Sequence, residues 1–275
     1  MRYLKYWCHA NETWKEVLMA ELAEVGFESF DDSKPGILEA WVQEKEHMAA
    51  ATTAIFESYK EHLRGYGGPE EEPEVNWNAT WESDYQPVSI DDFVYIRAPF
   101  HAQPKAPFTH VIEIMPKMSF GTGHHGTTAG IMREMRGINF QGKHVLDMGC
   151  GTGVLGILAA KMGAAEVLGI DIEAWAVENA IENAERNEVR MEVIEGGKEM
   201  ISGTFDVILA NINRNIIIDQ LPLYAKHLKA GGQLLCSGFY QGDVDIIREN
   251  AALNSFIFER ESNEHNWATV VFKKG

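Results

Sequence analysis

The sequence predicts an α/β protein: a mostly parallel sheet that ends in an antiparallel strand pair, preceded by a small α+β domain. Three observations carry this expectation. From Phe140 onward, short apolar runs of strand length alternate with helical stretches. Near the C-terminus, two strand-like runs are separated by a polar turn too short for a crossover helix. Ahead of both lies a separate order of strand, helix, strand, strand and helix, followed by a stretch rich in glycine and proline.

In chain order, Arg2–Cys8 reads as a strand. Thr13–Val25 has a helical rhythm, with Trp14, Val17, Leu18, Leu22 and Val25 on one face. Asn11 or Thr13 caps it, and Gly26 ends it. Phe27–Phe30 and Ile37–Val42 are strands joined by a turn-rich segment, and Glu46–Leu63 is a second helix. This order suits a ferredoxin-like unit over residues 1–64. Gly65-Tyr66-Gly67-Gly68-Pro69 and the glutamates after it read as an exposed, irregular linker, taken as 65–75, with the larger domain over 76–275. Phe93–Ile96 and His110–Met115 are strand candidates, and Ala129–Arg136 is a helix. Five strands follow at His144–Asp147, Glu166–Asp171, Met191–Ile194, Phe205–Ala210 and Gln233–Ser237. Helices over Val154–Met162, Ala174–Asn187, Arg214–Leu228 and Asp243–Asn250 lie between or after them, as in βαβ units. Phe256–Arg260 and Ala268–Phe272 form the antiparallel pair.

Composition narrows the class of function. The chain has 275 residues, 45% hydrophobic and 24% charged, which suits one large or two unequal globular domains. No apolar run approaches the ~18 residues of a membrane span, and the N-terminus lacks the pattern of a secretory signal. Three scattered cysteines, Cys8, Cys150 and Cys236, form no zinc spacing and suit a reducing cytoplasm. His124-His125 is the one adjacent histidine pair, without an HExxH pattern, so no metal site is expected. A net charge of −17 argues against direct nucleic-acid binding, which needs a basic face, and fits a basic protein partner or simple solubility.

The strongest chemical signal is Val145-Leu146-Asp147-Met148-Gly149-Cys150-Gly151-Thr152-Gly153, a buried strand running into glycines at alternate positions and then a helix. Glycine lets the backbone turn tightly and lets a ligand approach closely. A dinucleotide site follows GxGxxG, yet Val154 stands where its third glycine belongs. Asp147, two places before the first glycine, would repel a pyrophosphate and suits a ligand bearing an ammonium group. S-adenosyl-L-methionine (AdoMet) has a sulfonium, an α-ammonium and no phosphate. At the next strand end, Asp171 follows Gly149 by about twenty residues, the spacing of an acid that holds ribose hydroxyls. Its alternative role is to cap the helix that follows. Asn211 ends the strand expected beside the glycine turn, where ligands bind in open α/β sheets. Its side-chain oxygen can accept from a substrate N–H, and Asn213 is the better candidate for a turn residue. Met118 to Thr128, with three glycines and three threonines, can close over a ligand and brings in Phe120 and Gly121.

These segments together resemble the ribosomal protein L-eleven methyltransferase family, PrmA, of class I AdoMet-dependent enzymes. The stretch Phe120-Gly121-Thr122-Gly123-His124-His125-Gly126-Thr127-Thr128 is similar to that family's FGTGTHPTT loop, and Ala210-Asn211-Ile212 to its ANI motif. Gly163-Ala164-Ala165 with Gly169-Ile170-Asp171-Ile172 resembles its GA…GIDID stretch, and Ser237-Gly238 its late strand end. The likeness runs from about Asn76 to the C-terminus. His124, Gly126 and Asn213-Arg214-Asn215 depart from the pattern.

The resemblance implies a Rossmann-like methyltransferase domain with a mostly parallel seven-stranded sheet, preceded by a small substrate-recognition domain. It implies AdoMet contacts at Thr128, Gly149, Asp171 and Asn211, to which the reading of the residues adds Phe120, Gly121, Asp147 and Gly151. Asn211 is the catalytic candidate. The implied reaction is methylation of lysine side chains and the N-terminal α-amine of ribosomal protein L-eleven, in the cytoplasm. The alternatives are a class I methyltransferase acting on another protein, RNA or a small molecule, a nicotinamide dehydrogenase, and a non-enzymatic AdoMet-binding module.

Overall fold

The computed structural model describes residues 2–71, 85–117 and 120–275, and the chain divides into two compact units, Met1–Tyr85 and Gln86–Gly275. The expected domain start at Asn76 lies outside the described residues, as do Met118 and Ser119 at the head of the loop before Thr128.

In the first unit, β1 (Tyr3–His9), α1 (Glu12–Glu24), β2 (Phe27–Asp31), β3 (Ile37–Gln43), α2 (Ala49–Tyr59) and β4 (Gly65–Glu71) follow one another. The sheet order is β2-β3-β1-β4, with every pairing antiparallel. This is the ferredoxin-like βαββαβ arrangement. Leu4, Tyr6 and Cys8 alternate inward from β1, as do Leu38, Ala40 and Val42 from β3, and they bury against Leu18, Leu22 and Phe56 of the two helices. Asn11 caps α1 by accepting from the Trp14 N–H at 3.1 Å.

The sixth element corrects the expectation of a linker beginning at Gly65. Gly65–Glu71 is a strand hydrogen-bonded to β1. Its glycines are there for a close approach. A Cβ on Gly67 would sit 2.8 Å from the Trp7 ring, and one on Gly68 would sit 2.7 Å from Tyr6. The Trp7 indole N–H donates to Glu70 at 3.0 Å, and the Lys5 ammonium lies 3.1 Å from the same carboxylate. Composition alone reads this stretch as irregular because the partner that makes it a strand is more than fifty residues away.

In the second unit, β5 (Val88–Ile90), β6 (Val94–Arg97) and β7 (His110–Glu113) form a small mixed sheet. Then come α3 (Gly126–Met135), β8 (His144–Met148), α4 (Val154–Lys161), β9 (Glu166–Asp171), α5 (Ala174–Arg186), β10 (Glu192–Glu195), β11 (Phe205–Asn211), α6 (Arg214–His227), β12 (Leu228–Tyr240), α7 (Val244–Ala252), β13 (Phe256–Glu264) and β14 (Trp267–Lys274). The seven-stranded sheet has the order β10-β9-β8-β11-β12-β14-β13. All its pairings are parallel except those of β14, which runs antiparallel to both neighbours.

Both faces of this sheet are buried, which explains the near-continuous apolar runs of its central strands. Val145, Val207 and Leu209 enter one core with α3 and α4, while Leu146, Ile208 and Ala210 enter the other with α6 and α7. The chain leaves β8 outward through β9 to β10, then returns to β11 on the opposite side of β8. The strand order therefore reverses between β8 and β11, and ligands of such sheets bind at the carboxyl ends of the strands there.

Candidate active site

The turn after β8 is closed by its own chain. Gly149, Gly151 and Gly153 have φ of 69°, 54° and 77°. The N–H groups of Gly149 and Cys150 donate to the Ile170 carbonyl, that of Thr152 to the Phe120 carbonyl and that of Gly153 to the Cys150 carbonyl. The Gly151 N–H donates to Asp171 Oδ2 at 2.8 Å, and the Gly156 N–H to Asp147 Oδ2 at 2.9 Å. A phosphate-binding turn presents free N–H groups at the start of a helix. Here the N–H groups of the turn from Gly149 to Gly153, and that of Gly156, are already taken up by backbone carbonyls and two carboxylates.

Asp147 is 1% exposed and tied to the first turn of α4. Burial, with a further push from the Asp171 charge, raises its carboxyl to about 7 against the pull of the Gly156 N–H. Its carboxyl anchors the helix beneath the turn. Asp171 remains partly exposed at the end of β9. Its Oδ1 accepts from the Glu173 N–H at 3.1 Å, so it also organises the entry to α5.

The loop before α3 docks on the glycine turn. Thr152 Oγ1 donates to the Gly121 carbonyl at 2.6 Å, while the Thr152 N–H reaches the Phe120 carbonyl at 2.9 Å. A Cβ on Gly151 would fall 2.3 Å from the Phe120 carbonyl oxygen, and one on Gly149 would fall 2.3 Å from Ile212 Cγ2. At these two positions glycine is needed so that the segments carrying Phe120 and Ile212 can close on the turn. His124 contacts Thr122 Oγ1 at 3.1 Å and the Gln86 carbonyl at 2.9 Å, which gives this departure from the family pattern a local tether. Gly126, the second departure, lies where a Cβ would meet the Glu264 carbonyl at 3.2 Å.

Asn211 sits at the carboxyl end of β11, and its Nδ2 donates to Thr128 Oγ1 at 3.1 Å. Its Oδ1 is buried without a hydrogen-bond partner. A buried acceptor left unpaired costs about 1–3 kcal/mol. Asn213 caps α6 by accepting from the Asn215 N–H at 2.9 Å, the turn role expected of it. Arg214, the third departure, pairs with Asp243.

Sequence reasoning missed an aromatic edge to this site. Phe120 meets His125 at 5.2 Å between ring centroids, His125 meets Trp267 at 4.6 Å, and Trp267 stacks on Tyr240 at 4.2 Å. Phe120 and Tyr240, at the two ends of this edge, are 53% and 51% exposed. Tyr240 and Trp267 face each other only through the β12–β14 register, which no local pattern encodes. Among the described residues, no group of three or more His, Cys, Asp or Glu is placed to hold a metal ion.

An open α/β sheet whose glycine turn has its N–H groups already bonded, one of them to the partly exposed Asp171, does not suit a pyrophosphate, and the chain is of the AdoMet-dependent methyltransferase class. The comparisons narrow the class. A family model described as ribosomal protein L11 methyltransferase (PrmA) matches residues 12–275. A ribosomal protein L11 methyltransferase of Porphyromonas gingivalis is 40% identical over 95% of this chain and 91% of its own length. One of Phocaeicola vulgatus is 39% identical over 99% of both. Among solved structures, a ribosomal protein L11 methylase of Lactobacillus delbrueckii subsp. bulgaricus aligns with a TM-score of 0.65 and 28% identity, covering 70% of this chain and 100% of that one. The chain belongs to the ribosomal protein L11 methyltransferase family.

Proposed function

We propose that this protein transfers methyl groups from AdoMet to amines of ribosomal protein L11, the lysine side chains and the N-terminal α-amine. The observation that carries the reading is the unpartnered Oδ1 of Asn211, a fixed acceptor at the switch point that awaits an N–H donor. The residues fit the cofactor. Asp171 is a partly exposed acceptor at the ribose position, the backbone around Gly149 and Gly151 shapes the floor, and Phe120 with Gly121 borders it. Thr128 acts through Asn211, whose amide it orients. When bound, AdoMet supplies a methyl already activated by its sulfonium.

The chain's own contribution is alignment. Correct orientation of two reactants is worth about 7–11 kcal/mol. Asn211 Oδ1 accepts from the incoming amine and turns its lone pair toward the methyl. The amine must arrive neutral, and a lysine with its ordinary pKa near 10.4 is almost wholly charged at neutral pH. Desolvation beside the rings of Phe120, His125 and Trp267 favours the neutral form. No side chain is required as a base, since water can take the proton.

The first unit is proposed to recognise the protein substrate, and the net charge of −17 suits a basic partner rather than nucleic acid. Among the described residues no helix is long and apolar enough to cross a membrane, and modification of a ribosomal protein suits a cytoplasmic reaction. Incubation with methyl-labelled AdoMet and purified ribosomal protein L11 tests the reading. Label on lysine and α-amino groups of that protein is the expected result. Absence of label on that protein, from a preparation that binds AdoMet, refutes it.

A further inference from the structure

A column of buried asparagines on α5 and its C-terminal cap belongs to none of the motifs above. Asn179, Asn183 and Asn187 recur at every fourth residue, so they share one helix face, and they are 0%, 0% and 8% exposed. Asparagine is a weak helix former, and an enclosed amide is costly unless bonded. These side chains bond the backbone that continues from β7. Asn187 takes both groups of Glu113, its Oδ1 accepting from the N–H at 2.9 Å and its Nδ2 donating to the carbonyl at 2.7 Å. Asn183 Oδ1 accepts from the Met115 N–H at 2.9 Å, and Asn179 Nδ2 donates to the Met115 carbonyl at 3.4 Å. The stretch Glu113–Met115 thus meets a row of side-chain amides where a neighbouring strand would offer main chain.

Of the three, Asn183 reaches further. Its Nδ2 donates to the Thr152 carbonyl at 3.0 Å. Thr152 is the residue that holds Phe120 and Gly121 through its N–H and hydroxyl. One amide therefore joins the chain before the site loop to the turn on which that loop docks. Asn179 Oδ1 is buried without a partner, a cost that a purely apolar helix face would not carry, so the column is not explained by stability alone.

We propose that Asn183 is a positioning residue for the methyl-transfer reaction: it locks the segment entering the site loop and the glycine turn into one piece, which presents Phe120, Gly121 and Gly151 to the cofactor in a fixed arrangement. The inference rests on the reading of this site as an AdoMet site. It assigns Asn183 no contact with cofactor or substrate. Asn187 serves as the internal contrast, because it fixes Glu113 with the same chemistry but does not touch the turn.

The test compares the full chain with Asn183→Leu, Asn183→Asp and Asn187→Leu. Amide hydrogen exchange is followed at Thr152, and AdoMet binding is measured by calorimetry. Asn183→Asp keeps the acceptor for the Met115 N–H while replacing the donor to Thr152 with an oxygen, so it remains informative if the leucine variant folds poorly. Both Asn183 variants are expected to speed exchange at the Thr152 N–H and to weaken AdoMet binding by about tenfold each, the scale of one lost buried bond. The KM for AdoMet should rise while kcat changes little, since no reacting group is altered. Asn187→Leu should lower the melting temperature with exchange at Thr152 and AdoMet affinity both near the wild type. The proposal is overturned if Asn187→Leu moves Thr152 exchange as much as Asn183→Leu does, or if neither Asn183 variant moves it. Failure of the unaltered chain to bind AdoMet would instead refute the reading of the site, and the exchange comparison would still decide whether Asn183 couples the two segments.

Discussion

Asn211 gives one hydrogen of its amide to Thr128 Oγ1 at 3.1 Å, and that bond determines which way the amide faces. With Nδ2 committed, Oδ1 is the atom left buried and unpaired. Removing the partner should therefore matter without touching the acceptor. Thr128→Val has nearly the same shape and deletes the hydroxyl. It should lower turnover severalfold, because the amide can then flip and present Nδ2. Asn211→Ala removes the acceptor and should cost about 10²–10³ in turnover, the usual effect of one positioned polar contact. Asn211→Asp keeps oxygen acceptors but stabilises a charged amine, so it should also be strongly impaired, and no more so than alanine. Turnover per folded molecule and melting temperature on the same preparations decide the matter. A structural asparagine would lower the second and spare the first.

Asp171 bonds the Gly151 and Glu173 N–H groups, so its loss has two effects that can be separated. Asp171→Ala should weaken AdoMet binding by about 1.5–3 kcal/mol, the scale for a charged hydrogen-bonding group. It should also lower the melting temperature. Asp171→Asn keeps an acceptor oxygen for part of this network and should recover much of the stability while affinity remains reduced. Calorimetry on both variants measures the first effect and thermal unfolding the second. Unchanged affinity in the alanine variant would leave Asp171 only its structural bonds.

The buried Asp147 makes stability depend on pH in a predictable direction. Its carboxyl is pushed up to about 7 in the folded protein, chiefly by burial, whereas in the unfolded chain it ionises near 3.9. The folded state therefore holds a proton that the unfolded state has released between those values. The contribution of this group is fully present below about pH 4, falls as pH rises toward about 7 and is level above that. Asp147→Asn keeps an oxygen for the Gly156 N–H and has no proton to lose. Denaturant midpoints at about pH 5 and about pH 8 should show the wild type losing ground against Asp147→Asn as pH rises. A pH-independent gap between the two would mean that the carboxyl does not titrate in this window.

Gly151→Ala probes the closure of the loop on the turn. The added methyl would fall 2.3 Å from the Phe120 carbonyl oxygen, at a residue whose φ is +54°. The chain must move Phe120 aside, so AdoMet affinity should drop by about tenfold or more while the sheet, held by other contacts, still forms. Calorimetry together with far-ultraviolet circular dichroism checks both halves of the expectation.

The larger unit is legible in the sequence because its signals are local. Runs such as Val145–Leu146 and Val207–Ala210 feed both faces of a buried sheet, and the glycine turn, Asp171 and Asn211 each end a strand that can be read from its own residues. The antiparallel pairing of the tail strands is legible too, since the turn between β13 and β14 leaves no room for a helix. What escapes a sequence reading depends on residues far apart in the chain. The stacking of Tyr240 on Trp267 follows from sheet register, and the burial of Asn179, Asn183 and Asn187 follows from the strand they face. Lys15 is similar. It is only 1% exposed, yet it is held by the carbonyls of Asp32 and Lys34 and by Glu12, a setting that a helical wheel cannot supply. Asp147 stands out in the sequence, but its role does not, because its direction beneath the turn depends on the first turn of α4.

The fourth strand of the small unit also has a bearing on how that unit can be handled in isolation. With the order β2-β3-β1-β4, residues Gly65–Glu71 cover one side of β1. A fragment ending at Arg64 would leave β1 with a bare row of N–H and carbonyl groups and would strip Glu70 from the Trp7 indole. Such an uncovered edge is a template for pairing with other chains. A fragment extended to Glu71 keeps β1 covered, so whether the small unit in isolation bares an inner strand of its sheet is decided within a stretch that composition alone would mark as expendable.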